Sequence, residues 1–417
     1  MPDAWLSAAL PVLGLATASV EAVRSAAVRS GATGPVTGAD LNPERVAAAF
    51  SSERLFRDGD ARAGAFAPLS GFFQTKDGYL RTHANYPHHR DRLLRILGLA
   101  GSGQEAEPDR ETVAGAIAGR SAAELEDQAA QVGAIAVRVR TEAEWRASAP
   151  GAAAATEPLV RTAERDDAAA LTLVGGALPL KGVRVLDLTR VLAGPVCGRT
   201  LALLGADVLR LDPPVPAEIG WQHLDTGQGK RSALLDLHTD RPRAQELLNR
   251  ADVLMTGYRP GSIEAFGLRI PPGLVRARIN AWGDSGPWAD RRGFDSIVQA
   301  AAGIALIESG DGVTPGALPA QALDHATGYF LAAAIINALA ERADDGRGRD
   351  LVAFLARTAT WLLDAPGRDA HHPPAATPTA ATTVTHGRVT TARPAIPGFD
   401  DYPFPSHPWG GDQPTFP

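Results

Sequence analysis

Apolar positions are patterned most clearly in the second half of the chain. Val183-Arg184-Val185-Leu186-Asp187-Leu188 is a short run rich in β-branched and aliphatic residues, followed by Thr189 to Pro195 and then by apolar Leu201-Ala202-Leu203-Leu204. The order predicts a strand, a Gly-Pro turn and a helix. Gly205 is placed to close the helix, and Asp207-Val208-Leu209-Arg210-Leu211-Asp212 supplies a second strand, so strand, helix and strand fit within about 30 residues. A parallel sheet follows, with ligands at the carboxyl ends of its strands. Further on, the run Phe330-Leu331-Ala332-Ala333-Ala334-Ile335-Ile336 predicts a buried helix, with an isolated acid, Asp324, near its start.

The first turn narrows the ligand. A dinucleotide site needs G-x-G-x-x-G there, because successive glycines let the backbone approach a pyrophosphate. This chain has only Ala193-Gly194-Pro195 and, later, Gly198. Asp212 ends the second strand, where such enzymes place an acid for the ribose, but without the glycines a nicotinamide dehydrogenase is set aside.

The stretch Gly182-Val183-Arg184-Val185-Leu186-Asp187-Leu188-Thr189-Arg190-Val191-Leu192-Ala193-Gly194-Pro195 resembles the opening signature of the family III coenzyme A transferases, the group that also contains the α-methylacyl-CoA racemases. Further matches follow in order: Lys230-Arg231-Ser232 with Leu235-Asp236-Leu237, then Ala251-Asp252-Val253-Leu254, Arg259-Pro260-Gly261, Gly293-Phe294-Asp295 and Gly346-Arg347-Gly348. Spaced matches over roughly 180 residues are far more specific than one motif.

The resemblance implies an α/β fold, an open parallel Rossmann-like sheet with flanking helices plus a smaller α+β domain. It also implies roles. Asp324 falls at the family's nucleophilic aspartate. CoA contacts fall on Leu192 and Ala193, on Leu235, Asp236 and His238, on Gly257, Tyr258 and Arg259, and on Asn280, Ala281 and Trp282. Two positions that usually carry a basic residue near the CoA phosphates hold Pro213 and Ala265. The implied activity moves CoA between an acyl-CoA and a carboxylic acid through an aspartyl anhydride and an aspartyl-CoA thioester. No tightly bound cofactor is needed, CoA and acyl-CoA being substrates, and a homodimer is expected.

Asp324 also reads as a helix N-cap, and both roles can coexist, since the helix dipole would favour the ionised carboxylate. Two other functions stay open. A 2-methylacyl-CoA racemase or epimerase needs acid and base on opposite faces of the α-carbon. Family racemases carry a histidine where Phe294 stands, which leaves His325 as the nearby substitute. The other is a non-catalytic CoA-binding family member, motivated by Pro213 and Ala265. Trp282, Trp288 and Tyr329 suggest an apolar acyl site.

In the family the nucleotide-binding part comes first and the small domain follows. Here the order is rearranged. Gly71 to Leu80 resembles the first strand and turn of the small domain, Leu93 to Gly98 its first helix, and Thr141-Glu142-Ala143-Glu144-Trp145 a helix start nearer its end, all ahead of the nucleotide-binding part. The expected division is a helical segment at 1–65, the small α+β domain and an Ala-rich linker at 66–175, the Rossmann-like CoA-binding domain at 180–365, and a linker with C-terminal return segment at 366–417. Within the last, Asp364 to Ala381 reads as a flexible connection and Thr383 to Val389 as a strand.

Composition adds exclusions. A formal net charge of −6 and no long basic run argue against nucleic acid. His83, His88 and His89 lack an accompanying Cys or acid at ligand spacing and sit beside Arg90 and Arg92, so they read as surface or pocket-rim residues and no metal site is assigned. The single cysteine, Cys197, lies among apolar residues and reads as core packing; a lone thiol permits no intrachain disulfide and fits a cytoplasmic setting. Pro2 and Pro11 interrupt the apolar stretch Ala4 to Ala16, and no basic segment precedes it, so neither a leader nor a membrane span is expected.

Overall fold

The computed structural model describes residues 4–100, 108–258 and 261–417. Among these, the central element is a seven-stranded sheet. Its strands are β1 (Val160–Ala168), β2 (Arg184–Leu188), β3 (Asp207–Asp212), β4 (Lys230–Leu234), β5 (Val253–Thr256), β6 (Val275–Asn280) and β7 (Arg347–Phe354), in the order β1-β7-β6-β5-β2-β3-β4. Every neighbouring pair is parallel except β1 with β7. From β2 the chain moves outward to β3 and β4, then returns to β5 on the other side of β2. The carboxyl ends of β2 and β5 therefore diverge at a topological switch point, where α/β sheets bind ligands. Val185 and Leu186 of β2 and Val253, Leu254 and Met255 of β5 are buried, as a sheet covered on both faces requires.

Four helices position the site: α1 (Val12–Arg29), α2 (Ala193–Leu203), α3 (Asp295–Ala301) and α4 (Ala322–Asp345). α4 is apolar nearly all round and packs against α1, α2, β6 and β7, so its whole circumference is core. At Gly328 a Cβ would lie 2.4 Å from the carbonyl oxygen of Ala193, which shows how closely α4 meets the first turn of α2. Cys197 of α2 is fully buried, 4.0 Å from the sulfur of Met255.

A three-stranded antiparallel sheet (Gly71–Thr75, Gly78–Thr82, Ala136–Arg138) with helices Pro87–Ile96, Arg110–Ala118 and Ala122–Val132 has its own core around Phe73, Leu80, Leu93, Ile117 and Leu125. It joins the main body where the Arg140 N–H donates to the Ala300 carbonyl at 3.1 Å. Just beyond, Thr141 and Glu144 form a capping box that starts helix Glu142–Ala147. That helix places Trp145 against Trp282 and Trp288, with ring centroids 6.2 and 6.0 Å away.

Two segments differ from the sequence expectation. Residues 146–180, read as a linker, contain helix Ala149–Thr156 and the edge strand β1. β1 is polar along its exposed face and is held by side-chain charge, Arg165 donating to Asp350 at 2.9 Å, so it carries no apolar signature. The strand expected at 383–389 is a hairpin, Thr383–His386 with Val389–Ala392, that pairs with Arg57–Asp58 and so brings the two ends of the chain into one small sheet. The Pro-rich tail covers the outer strand β4: the Gly229 N–H donates to the Phe404 carbonyl at 2.9 Å, and the Ser232 N–H to Asp412 at 2.7 Å.

Candidate active site

A cavity of about 550 Å³ opens at the switch point. Leu188 to Gly194, from the end of β2 into α2, form one wall; Gly257 and Tyr258 after β5 and Ile279 to Ala281 at the end of β6 form another. Arg291 to Phe294, Leu355 and Asp324 also line the cavity. Of the residues expected at the site, Leu192, Ala193, Gly257, Tyr258, Asn280, Ala281 and Asp324 are in the wall. Leu235, Asp236 and His238 lie outside it: Leu235 is core, the His238 N–H donates to Asp236 at 2.9 Å, and the His238 ring packs on Phe266. Arg259 lies outside the described residues. Trp282 faces a second, smaller cavity, whereas Trp288 and Tyr329 are buried away from both; the aromatic acyl pocket is not formed. Leu192, Ala281, Phe294 and Leu355 supply the apolar wall instead.

Asp324 is the third residue of α4. The N-cap is Gln321, so Asp324 does not cap the helix. Its backbone N–H donates to the Asp295 carboxylate at 3.0 Å, and Asp295 also accepts from the Gln299 amide. The Gln299 carbonyl in turn accepts from the Leu318 N–H at 3.0 Å. Asp295 and Gln299, one turn apart on α3, thus fix the chain that leads into α4 and with it the position of Asp324.

The electrostatics run opposite to the expectation from the helix dipole. Burial pushes the Asp324 carboxyl well above the usual carboxylate range, and the nearby Asp295 and Glu53 push it further. Asp295 is raised by burial to about 6, and the N–H groups that it accepts from oppose the rise. Within this pair Asp295 ionises first and Asp324 keeps the proton. The macrodipole is worth only about 0.3–1 kcal/mol at an exposed helix end, too little against burial beside a second carboxylate.

The β2–α2 turn carries its own constraint. Val191 sits at φ 71°, a left-handed conformation that a β-branched residue adopts only under strain. Its N–H donates to Glu218 at 3.2 Å. Glu218 also receives the fully buried Arg210 at 2.7 Å and the Tyr86 hydroxyl at 3.2 Å. Burial would raise Glu218, but Arg210 and Arg190 outweigh it and hold the carboxyl at about 2. Arg210 also grips Asp212 at 2.7 Å, so Asp212 is bound to this network and not offered to a ribose.

Histidines approach from the small sheet. His88 and His89 are in the cavity wall, and His83 stacks flat on Phe294 with centroids 3.8 Å apart. His83 and His89 are buried, not surface groups, and burial lowers both to about 3, so they are neutral at physiological pH. His325 is fully buried against Phe50 and Glu53 and is not in the cavity wall, so it cannot serve as a proton carrier for a substrate there. Among the described residues no cluster of three or more His, Cys, Asp or Glu is placed to hold a metal.

The site is thus a switch-point cavity of an α/β protein, with a buried carboxyl in its wall and no glycine-rich phosphate turn. The family comparison is specific. The model of CoA-transferase family III matches residues 180–393, just over half of the chain, and the chain belongs to that family. It is 35% identical over 191 residues to a probable fatty acyl-CoA transferase, Rv3272, of Mycobacterium tuberculosis, covering 41% of this chain and 48% of that protein. It is 34% identical over 203 residues to the succinyl-CoA–L-malate CoA-transferase beta subunit of Chloroflexus aurantiacus, covering 43% and 49%. A crystal structure of Rv3272 shares 35% identity over 45% of this chain and 56% of that one, with a TM-score of 0.42. The chain spans about half the length of the curated relatives it matches.

Proposed function

We propose that this chain is an acyl-CoA:carboxylate CoA-transferase with Asp324 as its nucleophile. The observation that carries the reading is the placement of Asp324: a buried carboxyl in the wall of the switch-point cavity, positioned through its own backbone by Asp295. The ionised form of Asp324 attacks the thioester carbonyl through one carboxylate oxygen, a C–O bond forms, the C–S bond breaks, and CoA leaves as thiolate. The thiolate then attacks the aspartyl carbonyl of the mixed anhydride, giving an aspartyl-CoA thioester and releasing the donor acid. An acceptor carboxylate repeats both steps in reverse and regenerates Asp324. Each step exchanges one activated carboxyl for another, and the wall of Leu192, Ala281, Phe294 and Leu355 keeps water from the anhydride.

CoA enters along the β2–α2 turn and Gly257–Tyr258, and its nucleotide end extends past the cavity toward Leu235, Asp236 and His238. Arg190 lines the cavity, and we assign it to the CoA phosphates in place of the basic residues absent at 213 and 265. Phe294 and the sequestered His325 leave the racemase reading without its expected base. A homodimer in the cytoplasm fits this function, and among the described residues no helix is long and apolar enough to cross a membrane. Incubating the protein with a panel of acyl-CoAs and free acids, and following new thioesters by chromatography, tests the reading. Transfer that falls by about 10³-fold or more in Asp324→Asn supports it, on the scale seen when a nucleophile is removed. CoA binding without transfer by the wild type favours the non-catalytic alternative.

A further inference from the structure

Attack on a thioester puts negative charge on its oxygen, and a donor already aimed at that oxygen lowers the barrier. Asp324 shares its cavity with several polar side chains, and most are committed elsewhere. The Tyr86 hydroxyl donates to Glu218 at 3.2 Å, and the Thr189 hydroxyl donates to Asp187. His89, the buried imidazole of that wall, makes no side-chain hydrogen bond among the described residues. Its Nδ1 is sealed from solvent without a partner, which leaves Nε2 as the nitrogen that can meet a ligand. A buried polar ring without a partner opposes folding, whereas an apolar side chain of that size would pack there freely.

The ring is held in place by its neighbours. His89 is the third residue of helix Pro87–Ile96, edge-on to Tyr86 with centroids 5.7 Å apart and to Phe294 with centroids 6.0 Å apart. Phe294 is itself pinned by the stacked His83 and directly precedes Asp295, the carboxylate that accepts from the Asp324 backbone at 3.0 Å. One short path of packed and bonded groups thus joins the imidazole to the carboxyl. Burial lowers the pKa of His89 to about 3, and His88, Arg292, His83 and Arg92 add to the fall. At neutral pH the ring is therefore a donor with one N–H and not a carrier of protons. The positive charge that opposes its protonation also favours an anionic oxygen beside it.

We propose that His89 is a catalytic residue of the transfer: its Nε2–H donates to the thioester oxygen and to the oxyanion that forms when Asp324 bonds to the carbonyl carbon. This rests on the transferase reading. The carbonyl electron pair moves onto oxygen as the C–O bond forms, and the imidazole proton stays on nitrogen throughout. When the pair returns, the C–S bond breaks and CoA leaves as thiolate. The small sheet and its helices, which have their own core, thereby contribute chemistry to the site and not only a wall.

Infrared difference spectroscopy reads the donor without turnover. The probes are butanoyl-CoA and palmitoyl-CoA, isotope-labelled at the thioester carbonyl carbon and bound to Asp324→Asn so that they do not react. The carbonyl band lies below its free-ligand position, and adding His89→Phe moves it back up. With Asp324 intact, His89→Phe slows transfer about 10²-fold in kcat, the range for loss of one oxyanion donor, and leaves KM nearly unchanged. His89→Gln, which keeps an N–H near the place of Nε2, recovers most of that rate with the pH profile of the wild type. A band that His89→Phe does not move, equal rates in the two proteins, or a pH limb that His89→Gln abolishes overturns the proposal. A His89-dependent band without any wild-type transfer keeps the donor and sinks the transferase reading, whereas binding of neither probe sinks both. Should His89→Phe fail to fold, the band in Asp324→Asn alone decides, and one at the free-ligand position overturns the proposal.

Discussion

Asp324 is held where its charged form is disfavoured, and the consequences can be measured. Attack on a thioester needs the carboxylate, so covalent adduct formation rises with pH, by up to about tenfold per pH unit while Asp324 retains its proton. Rapid-quench assays between pH 5 and 8 check the slope; a flat profile means that Asp324 ionises well below this range. Stability follows the same sign. Both acids have folded pKa values raised above their unfolded ones, so their contribution is complete below about pH 4 and is lost as pH rises through the folded values, about 6 for Asp295. Asp324→Asn removes that liability. Its melting temperature exceeds that of the wild type at pH 7.5 and the gain shrinks toward pH 4, as thermal denaturation at the two pH values will show. The sequence marked Asp324 through its motif, but the sign of its shift was not legible, because desolvation and the approach of Asp295 and Glu53 arise only on folding. Asp295 itself stood in the quoted Gly293-Phe294-Asp295 match, and nothing local said that it would bind the backbone of residue 324.

At the scale of elements, the site depends on α4 meeting the start of α2 at backbone distance. Gly328→Ala forces a Cβ against the Ala193 carbonyl, so the helices must separate. Overpacking of this kind costs about 1–3 kcal/mol, and adduct formation slows with it because Ala193 and Asp324 both line the cavity. Denaturant titration together with adduct kinetics checks both effects. Trp145, 1% exposed among Trp282 and Trp288, fastens the small sheet to the loop that carries Trp282. Trp145→Ala costs about 3–5 kcal/mol in the same titration. The strand-helix-strand unit at 183–212 and the capping box at Thr141 were readable because apolar periodicity and cap chemistry are local signals. β1 was not, since an edge strand held by arginine–carboxylate pairs has no apolar alternation, and the hairpin Thr383–Ala392 depends on pairing with residues 57–58, more than 300 positions away.

Across the whole molecule, a three-stranded small sheet and a seven-stranded main sheet are built from successive parts of the chain. The small sheet, which precedes the main sheet in sequence, still delivers His88, His89 and Arg92 to the cavities beside the β6–α3 loop. Those cationic and imidazole groups were legible as residues but not as a site, because only the packing of two distant segments brings them together. The switch point between β2 and β5 explains why seven of the expected positions line one cavity although they lie between residues 192 and 324. The most direct test of the nucleophile is intact-protein mass spectrometry after brief exposure to acyl-CoAs, with and without hydroxylamine, on the wild type and Asp324→Ala. An acyl-sized or CoA-sized mass increase that hydroxylamine removes, and that is absent from Asp324→Ala, is the predicted result. The same adduct on Asp324→Ala, or turnover by the wild type with no adduct at any time point, would contradict it.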